Sequence, residues 1–355
     1  MGRARRLALD CHRAADGAVV VRDWAVVGES NRVWLLDGRR SADPKASASR
    51  LGVLPDTVGT WIPTNTRPGF RFSELPGGGT LAAAHLSDGT WLMVHSQPSG
   101  DNVAYLSRRT DSSIAASAAP ETPESADRVR VSPPLVDGAR ELDGARVCGV
   151  LDLPQGPHPW LVGDSWWYRD SRRYVWVCAP SVTGRALTDG RIVASNASNP
   201  RAVRWTDRVV VVMHDDDQKR GSGVIGRPLR AVSSTDMSAW TSLPKLDPNM
   251  RFHEFDLAAD PNGLTLAGLQ DLPALAEVNE FAGGHAYAPP MALVVLRYDG
   301  TTQTWREILR QRDERLTPDS TVALVPPTTG FPVGRVILRY GSAAEFVLQE
   351  LPANK

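Results

Sequence analysis

The chain has 355 residues, in which 40 Lys and Arg side chains balance 40 Asp and Glu side chains, so the formal net charge is zero. This balance excludes the strong overall attraction to nucleic acids or anionic membranes that a basic protein has. The length allows one large all-β domain or two ordinary domains. The three cysteines have no metal-ligand spacing, so we expect a reducing compartment, no metal site and no cofactor.

The N-terminal segment begins with basic residues but has no apolar run that can serve as a signal peptide. Polar and charged side chains between Asp10 and Asp16 interrupt the apolar residues of this segment. No other apolar run is long enough to cross a bilayer as a helix. We therefore expect a cytoplasmic protein without a membrane partner.

Short apolar runs separated by turn residues follow one another along the chain, which predicts strands rather than helices. Two meanders are predicted near the N-terminus, at 18–37 and 80–108, and a hairpin turn is predicted at 87–89. Two further segments, at about 39–79 and 111–145, are rich in proline or low in complexity. We predict that these two segments are mobile surface loops between strands.

The clearest unit of the sequence is residues 208–244. An apolar strand at 209–213 is followed by a polar turn and by a returning strand at 224–232. Later strands are predicted on both sides of the turn at 260–263, whose Asp-Pro-Asn-Gly sequence is typical of a tight turn. The charged stretch at 306–316 is predicted to form one or two helical turns.

Parts of this unit recur along the chain. Residues 294–309 resemble 336–351, and their Leu-Arg-Tyr triplets lie 42 residues apart. Residues 90–95 likewise resemble 209–214. A period near forty residues with about four short strands is typical of a β-propeller blade.

The recurrence predicts the fold class. We predict an all-β protein, a single β-propeller domain over 1–355 with short antiparallel strands and long inter-blade loops. Six blades are predicted, with five or seven as alternatives, from start strands near 18, 90, 174, 209, 264 and 322. A pair of β-sandwiches is the rival fold.

Residues 234–240, Ser-Thr-Asp-Met-Ser-Ala-Trp, resemble the Asp-box of sialidase-type propellers, and their tail is also similar to a segment of five-bladed glycosidase propellers. In that family, the Ser and Asp side chains bond the backbone of a turn that closes a blade, and Trp packs into the blade. Two departures are evident, because Ser238 stands where the family has a central glycine and Trp240 comes one residue early. The resemblance implies the fold and not an activity, because the box is remote from any catalytic centre.

A sialidase-like site would need three arginines for a substrate carboxylate, an Asp acid and a Tyr nucleophile paired with Glu, whereas an ordinary glycosidase needs two facing carboxylates. Strand alternation over 251–256 predicts that Glu254 and Asp256 share one face with Phe252. The opposite face then carries Arg251, His253 and Phe255. If the protein is a glycosidase, the candidate catalytic carboxylates are Glu254, Asp256 and Asp164.

The candidate binding residues are an aromatic-rich stretch, two histidines and one arginine. The aromatic stretch offers rings beside an acidic and a basic side chain, as sugar-stacking and partner-anchoring sites do. The histidines end two of the strands that resemble each other. The residues are Trp166, Trp167, Tyr168, Arg169, His95, His214 and Arg251.

Two functions of different classes remain open. The favoured hypothesis is a non-catalytic recognition or scaffold subunit that contacts a protein partner in an intracellular assembly. The alternative is a glycoside hydrolase of sialidase-like or five-bladed propeller type, with a carbohydrate as its ligand. A propeller fold hosts both roles, so the site must decide between them.

Overall fold

In the computed structural model, side chains are described over 145–151, 153, 159–165, 172–179, 190–217, 226–272, 291–317, 320–325, 334–338, 340, 347 and 349–352. Elsewhere, only strands are described, without their side chains. All regular secondary structure in these parts is β. They include no helix that is long and apolar enough to span a membrane.

The strands of the N-terminal part are β1 (Arg3–Arg6), β2 (Cys11–Arg13), β3 (Val19–Val21), β4 (Trp24–Glu29), β5 (Arg32–Arg39), β6 (Ala48–Val53), β7 (Gly59–Trp61), β8 (Arg67–Pro68), β9 (Thr80–His85), β10 (Thr90–Ser96), β11 (Val103–Thr110) and β12 (Asp127–Arg130). They are followed by β13 (Asp143–Leu151), β14 (Trp160–Trp167), β15 (Arg172–Pro180), β16 (Leu187–Ser195), β17 (Ala197–Trp205), β18 (Arg208–Asp215), β19 (Leu229–Ser234) and β20 (Thr241–Ser242). The last are β21 (Phe252–Asp260), β22 (Gly263–Asp271), β23 (Met291–Asp299), β24 (Thr304–Asp313), β25 (Thr321–Val325), β26 (Arg335–Arg339) and β27 (Phe346–Glu350).

From β13 onwards, the strands form four sheets of four strands, in the orders β13-β14-β15-β16, β17-β18-β19-β20, β21-β22-β23-β24 and β25-β26-β27-β7. The strands before β13 form a five-stranded sheet, β1-β4-β5-β6-β8, a four-stranded sheet, β12-β11-β10-β9, and the pair β2-β3. Consecutive sheets of four short strands are what the predicted blades require.

The chain divides into two compact units, residues 1–54 with 63–202 and residues 55–62 with 203–355. In the second unit, β7 completes the sheet that the last strands of the chain begin. Its residues Gly59 to Trp61 pair antiparallel with Leu348 to Phe346 of β27. The outermost strand of this sheet therefore comes from a distant part of the sequence.

The second unit is held together by sheets that pack face to face. One apolar cluster joins β21–β23 to β17–β19 and includes Phe252, Phe255 and Leu257. Another joins the opposite face of the same sheet to β25 and β26 and includes Ala258. Because both faces of this sheet are covered, its third strand reads MALVVLRYD, an almost unbroken apolar run.

The position of a strand within its sheet follows from its sequence. The outermost strand β24 carries Arg306, Glu307, Arg310 and Arg312 and is largely exposed, whereas β23 beside it is buried. Charged side chains on an edge strand discourage pairing with another chain. The prediction of helical turns at 306–316 is wrong here, because seven residues of β23 pair with this stretch.

In the sheet β13–β16 of the first unit, a glycine leaves room for the ring of a buried tryptophan. Trp176 of β15 is completely buried, and its indole nitrogen donates a 2.8 Å hydrogen bond to Ser165. Gly163 of β14 lies under this ring. A β-carbon at Gly163 would lie 2.3 Å from Trp176, so only glycine fits at this position.

The strand positions correct part of the predicted repeat. Residues 90–95 and 209–214 both lie on second strands, β10 and β18, as their resemblance predicted. The predicted start strands near 90, 209 and 264 are therefore second strands, β10, β18 and β22, and the one near 174 is a third strand, β15. The Leu-Arg-Tyr triplets also differ in position, because one lies in the third strand β23 and the other in and just after the second strand β26. Apolar strands with similar environments look alike in sequence whatever their place in the sheet.

Short strands also lie inside the two segments predicted to be loops. β6, β7 and β8 fall within 39–79, while β12 and the start of β13 fall within 111–145. Proline is tolerated at strand ends and at edges of sheets, so a proline-rich segment can still supply short strands.

The turn between β19 and β20 is held by one carboxylate. Asp236 accepts hydrogen bonds from the backbone nitrogens of Ser238 at 2.8 Å and Ala239 at 3.2 Å, and from the Ser234 hydroxyl at 3.1 Å. The Ser238 hydroxyl bonds its second oxygen. These bonds, those to Ser238 first, hold the pKa of Asp236 well below its usual value. Met237 adopts a left-handed backbone conformation, with φ of 61°.

Candidate functional site

Polar residues of the second unit occupy the chain positions around the start of β21. Three segments meet there, because Arg227 forms an isolated backbone bridge with Phe252 and the end of β22 lies beside the start of β21. We call this group the β21-start cluster. Its members are His214, Asp216, Arg227, Arg251, His253, Glu254 and Asp271.

A β-bulge in β21 creates the cluster. Phe252 pairs with Gln270 and Glu254 pairs with Leu269, which is the next residue of β22. His253 is therefore an extra residue that has no pairing partner on β22. The bulge also corrects the predicted alternation, because Phe252 and Phe255 lie in the same apolar cluster rather than on opposite faces. Bulges break the two-residue period and re-aim side chains.

His253 and Asp271 form an almost buried pair. Nε2 of His253 bonds Oδ1 of Asp271, and the two side chains are 5% and 7% exposed. Oδ2 of Asp271 accepts a 3.1 Å hydrogen bond from the backbone nitrogen of Gly226. A β-carbon at Gly226 would lie 3.0 Å from this oxygen, so the close approach favours glycine.

Arg227 and His214 border this pair. The Arg227 guanidinium forms an ion pair with Asp216, and both side chains are mostly buried. The backbone of Arg227 exchanges hydrogen bonds of 3.0 and 2.8 Å with Phe252. The buried imidazole of His214 packs edge-on against Phe255, with ring centroids 5.1 Å apart. The end of β18 is thereby fixed against β21.

The carboxylate of Asp256 connects two sheets of the second unit. It is 2% exposed and accepts 2.8 Å hydrogen bonds from the backbone nitrogens of Leu257 and Leu324. Leu324 belongs to β25, so Asp256 joins the first strands of neighbouring sheets. Glu254, two residues earlier on β21, is also buried. Its position next to His253 places it in the β21-start cluster.

Asp164 lies in the first unit and is bound by an arginine. Its oxygens accept hydrogen bonds from Nε of Arg146 at 2.7 Å and from Nη2 of the same side chain. The backbone nitrogen of Asn199, a residue with φ of 53°, donates a further 2.8 Å bond. Burial raises the pKa of Asp164, but the Arg146 charge and these hydrogen bonds outweigh it, so the pKa falls below its usual value. Asp164 is therefore an ionised carboxylate near neutral pH.

No protein-family model matches this sequence, and no curated protein sequence matches it. Among solved structures, the chain is similar to Trypanosoma rangeli sialidase, with a TM-score of 0.55 and 10% identity over 98% of this chain and 59% of the sialidase. It is also similar to an α-L-arabinofuranosidase of Fusarium graminearum, with a TM-score of 0.47 and 14% identity over 83% and 85% of the two chains. A third similar structure is Kuenenia stuttgartiensis hydrazine synthase, with a TM-score of 0.44 and 11% identity over 93% of each chain.

The fold is a sialidase-like β-propeller. The sialidase likeness decides this together with the four-stranded sheets, and at 10% identity it shows the fold alone. The predicted all-β propeller is therefore confirmed. Of the six predicted blades, the four sheets from β13 onwards are established.

Four of the predicted site residues belong to the second unit, and these are Glu254, Asp256, His214 and Arg251. Asp164 belongs to the first unit. Trp166 and Trp167 lie on β14 and His95 lies on β10, but their side chains are outside the described residues. Tyr168 and Arg169 lie outside the described residues altogether. The roles of all these residues stay predictions.

Sequence reasoning missed Asp271, Arg227 and Asp216 as members of the cluster, and it assigned His253 no role. Asp271 ends the apolar strand β22, and a polar residue at such an end is the signal that can point to a site. Among the described residues, no three His, Cys, Asp or Glu side chains lie close enough to hold a metal ion.

Proposed function

We propose that this propeller is a recognition subunit that binds a protein partner through Arg251, the partly exposed residue of the β21-start cluster. The observation that carries the proposal is the state of the predicted catalytic carboxylates. Asp256 gives both oxygens to backbone nitrogens, and Asp164 gives its oxygens to Arg146 and Asn199. Carboxylates that hold the scaffold in this way are poorly placed to exchange protons with a glycoside.

The charges of the cluster support recognition. Arg227 is paired with Asp216, and His253 is paired with Asp271. Arg251 is partly exposed, and no side chain among the residues that the structure describes pairs with its guanidinium. An arginine of this kind is a common anchor in protein interfaces, because it has five donors in a planar fork.

Glycoside hydrolysis is the second candidate. It is favoured by Glu254, a buried carboxylate on β21, and by the fold that the chain shares with a sialidase. A lone carboxylate is insufficient, because both retaining and inverting glycosidases use two. Glycoside hydrolysis therefore needs a second carboxylate other than those already bound by neighbouring groups, which are Asp164, Asp256, Asp216 and Asp271.

A panel of aryl glycosides, including sialosides and arabinofuranosides, separates the two candidates. The wild type is compared with Glu254→Gln and with Glu314→Gln, which alters an 85% exposed side chain. Under the recognition proposal, none of the three proteins turns over any substrate above the buffer rate. Turnover that Glu254→Gln abolishes and Glu314→Gln retains would replace recognition by glycoside hydrolysis.

Partner binding is tested by affinity capture from native extract. We compare the wild type with Arg251→Glu and with Arg312→Glu, a control whose side chain is 62% exposed on β24. The proposal expects a defined protein that the wild type and Arg312→Glu retain and Arg251→Glu loses. Equal capture by all three proteins, or a wild type that elutes only as a free monomer and captures nothing, contradicts it.

We also propose that the two multi-stranded sheets before β13 supply the remaining blades of the predicted six. The 234–240 turn is proposed to be a degenerate Asp-box, because Asp236 bonds its backbone as that motif requires.

A further inference from the structure

The strand β24 presents a long edge at the end of its sheet. It has ten residues, more than any other strand that the structure describes, and β23 is its only neighbour among those strands. The other two sheets of the second unit end in much shorter strands, β20 with two residues and β7 with three. Proteins usually shorten such edges or interrupt them with proline, but β24 contains no proline. Its outer backbone groups are therefore able to pair with a further strand.

A β-bulge places Glu307 and Arg310 on one face of β24. Consecutive residues of β23 pair with Glu307 and Leu309, so Ile308 between them is an extra residue. In a regular strand, residues three apart point to opposite faces. Here the two charged side chains share a face and form an ion pair of 2.7 Å. Ile308 and Leu309 instead pack against the apolar cluster that joins this sheet to β25 and β26.

We propose that two copies of this chain form a dimer in which their β24 strands pair antiparallel. A two-fold axis relates the two strands, so every contact between two different residues occurs twice. Opposed residues of an antiparallel pair must also point to the same face of the sheet. Because the bulge brings Glu307 and Arg310 to one face, each of them can lie opposite the other across the axis.

This register brings complementary side chains together. Glu307 of each copy lies opposite Arg310 of the second copy, so the dimer contains two opposed pairs of unlike charge. Between them, the partly buried Ile308 of each copy lies opposite Leu309 of the second copy. The flanking pairs also oppose no like charges, and they are Arg306 with Gln311 and Arg312 with Trp305.

The same charges make the edge selective for a second copy. Strands with unmatched charges are rejected, which is how charged edges prevent unspecific pairing. A shifted register that places Arg310 opposite its own copy would oppose like charges. The side chains concerned are accessible, because Glu307 is 33% and Arg310 is 36% exposed. One pair of strands is a small interface, so we expect a reversible dimer.

Charge reversal on β24 tests the pairing. Analytical ultracentrifugation compares the wild type with Glu307→Arg, Arg310→Glu and Lys245→Glu, a control at an exposed position outside β24. We expect the wild type and Lys245→Glu to dimerise, and each β24 variant to dimerise at least about 10-fold more weakly, because it opposes like charges twice. A wild type that stays monomeric over an about 100-fold range of concentration overturns the proposal. So does a β24 variant that dimerises as well as the wild type.

An equimolar mixture of the two β24 variants separates pairing between copies from the ion pair within one copy. In a dimer of one Glu307→Arg copy with one Arg310→Glu copy, unlike charges meet at both opposed pairs. The ion pair within each copy nevertheless stays broken. We expect the mixture to regain the dimer that each variant forms poorly alone. A mixture that dimerises no better than its components contradicts the pairing.

Hydrogen exchange of the wild type covers the case in which a variant fails to fold. Outward N–H groups of β24 become hydrogen-bonded in the dimer. We expect the 304–313 peptide to exchange more slowly at high than at low protein concentration, while the 252–260 peptide of β21 stays unchanged. Exchange of 304–313 that is independent of concentration rules out the dimer through β24. Partner capture through Arg251 does not depend on β24, so failure of the dimer is distinguishable from failure of the recognition proposal.

Discussion

Asp313 shows how one side chain ties two strands together. At the end of β24, it accepts hydrogen bonds from Arg315 and, at 2.7 Å, from the Tyr340 hydroxyl beyond the end of β26. The Arg315 guanidinium lies 4.3 Å from the centroid of the Tyr340 ring. The Arg315 hydrogen bonds lower the pKa of Asp313 to about 2. Burial and, next to it, the bond to Asp313 raise the pKa of Tyr340 to about 12.

These two shifts act at opposite ends of the pH range. The Asp313 pKa is depressed, so its contribution to stability is present above the usual value of 3.8 and is lost as pH falls through about 2. The Tyr340 pKa is raised, so its contribution is present below the usual value of 10.0 and is lost as pH rises through about 12. The contact is therefore intact throughout the neutral range.

We predict that Asp313→Asn lowers the pKa of Tyr340 from about 12 but leaves it above 10.0, because burial remains when the carboxylate is gone. Ultraviolet titration of tyrosinate measures this shift, and Tyr340→Phe identifies the late-titrating ring. Asp247→Asn, in an exposed turn, serves as the control and should leave the titration unchanged. A Tyr340 titration that is identical in Asp313→Asn and the wild type would show that the two side chains do not interact.

The candidate site was predictable at the level of residue types but not of pairs. Glu254, Asp256, His214 and Arg251 stand out in the sequence because they are polar residues within or next to apolar strands. The contacts that surround Asp271, the partner of His253, could not be predicted from the sequence in the same way. Gly226 and Asp271 are 45 positions apart and meet only because β18–β19 pack against β21–β22.

Strands of the first unit depend on glycine where a large ring crosses them. At Gly163, a β-carbon would lie 2.3 Å from both the Arg146 carbonyl oxygen and the Trp176 ring. At Gly149, on the neighbouring strand β13, a β-carbon would meet nothing within 4 Å. The two glycines thus form a matched pair in one sheet, one in a closed position and one in an open position.

We predict that Gly163→Ala lowers the free energy of unfolding by about 1–3 kcal/mol, because the added methyl group overpacks the buried Trp176 contact. Gly149→Ala should change it by less than about 0.5 kcal/mol. Urea denaturation followed by tryptophan fluorescence measures both values. Equal destabilisation by the two substitutions would mean that the contact with Trp176 is not the cause.

Elements also show where a sequence pattern loses its meaning. The alternation over 251–256 is regular in the sequence, but the bulge at His253 moves Phe252 and Phe255 to one face. The bulge arises from pairing with β22 rather than from a local preference of these residues. Similarly, the charged stretch at 306–316 contains a strand because β23 offers it a hydrogen-bonding edge.

The last sheet of the chain is completed by a strand from the N-terminal part of the sequence. β27 would be an exposed edge if residues 59–61 did not pair with it as β7. An uncovered edge leaves a row of backbone donors and acceptors without partners. The stability of the C-terminal sheet therefore depends on a segment from the N-terminal part of the sequence.

We predict that replacing Thr60 and Trp61 together by proline makes the amides of β27 exchange faster with deuterium. Proline has no backbone N–H, so one ladder bond is lost whichever of the two residues donates it. Replacing the same two residues by alanine keeps both N–H groups and should leave more of the protection in place. Hydrogen exchange of the 346–350 peptide measures the difference. Equal protection in the proline and alanine variants would show that β7 does not cover β27.

The sequence by itself determined the all-β class and the blade-like succession of short strands, because apolar runs bounded by turn residues depend on local spacing alone. It also placed the tight turns at 234–240 and 260–263, whose geometry comes from adjacent side chains. The tertiary structure alone decided the position of each strand in its sheet, the bulge in β21, the pairing of β7 with β27 and the His253–Asp271 pair. Each of these depends on contacts between residues distant in the chain, and no local pattern encodes which distant strand arrives.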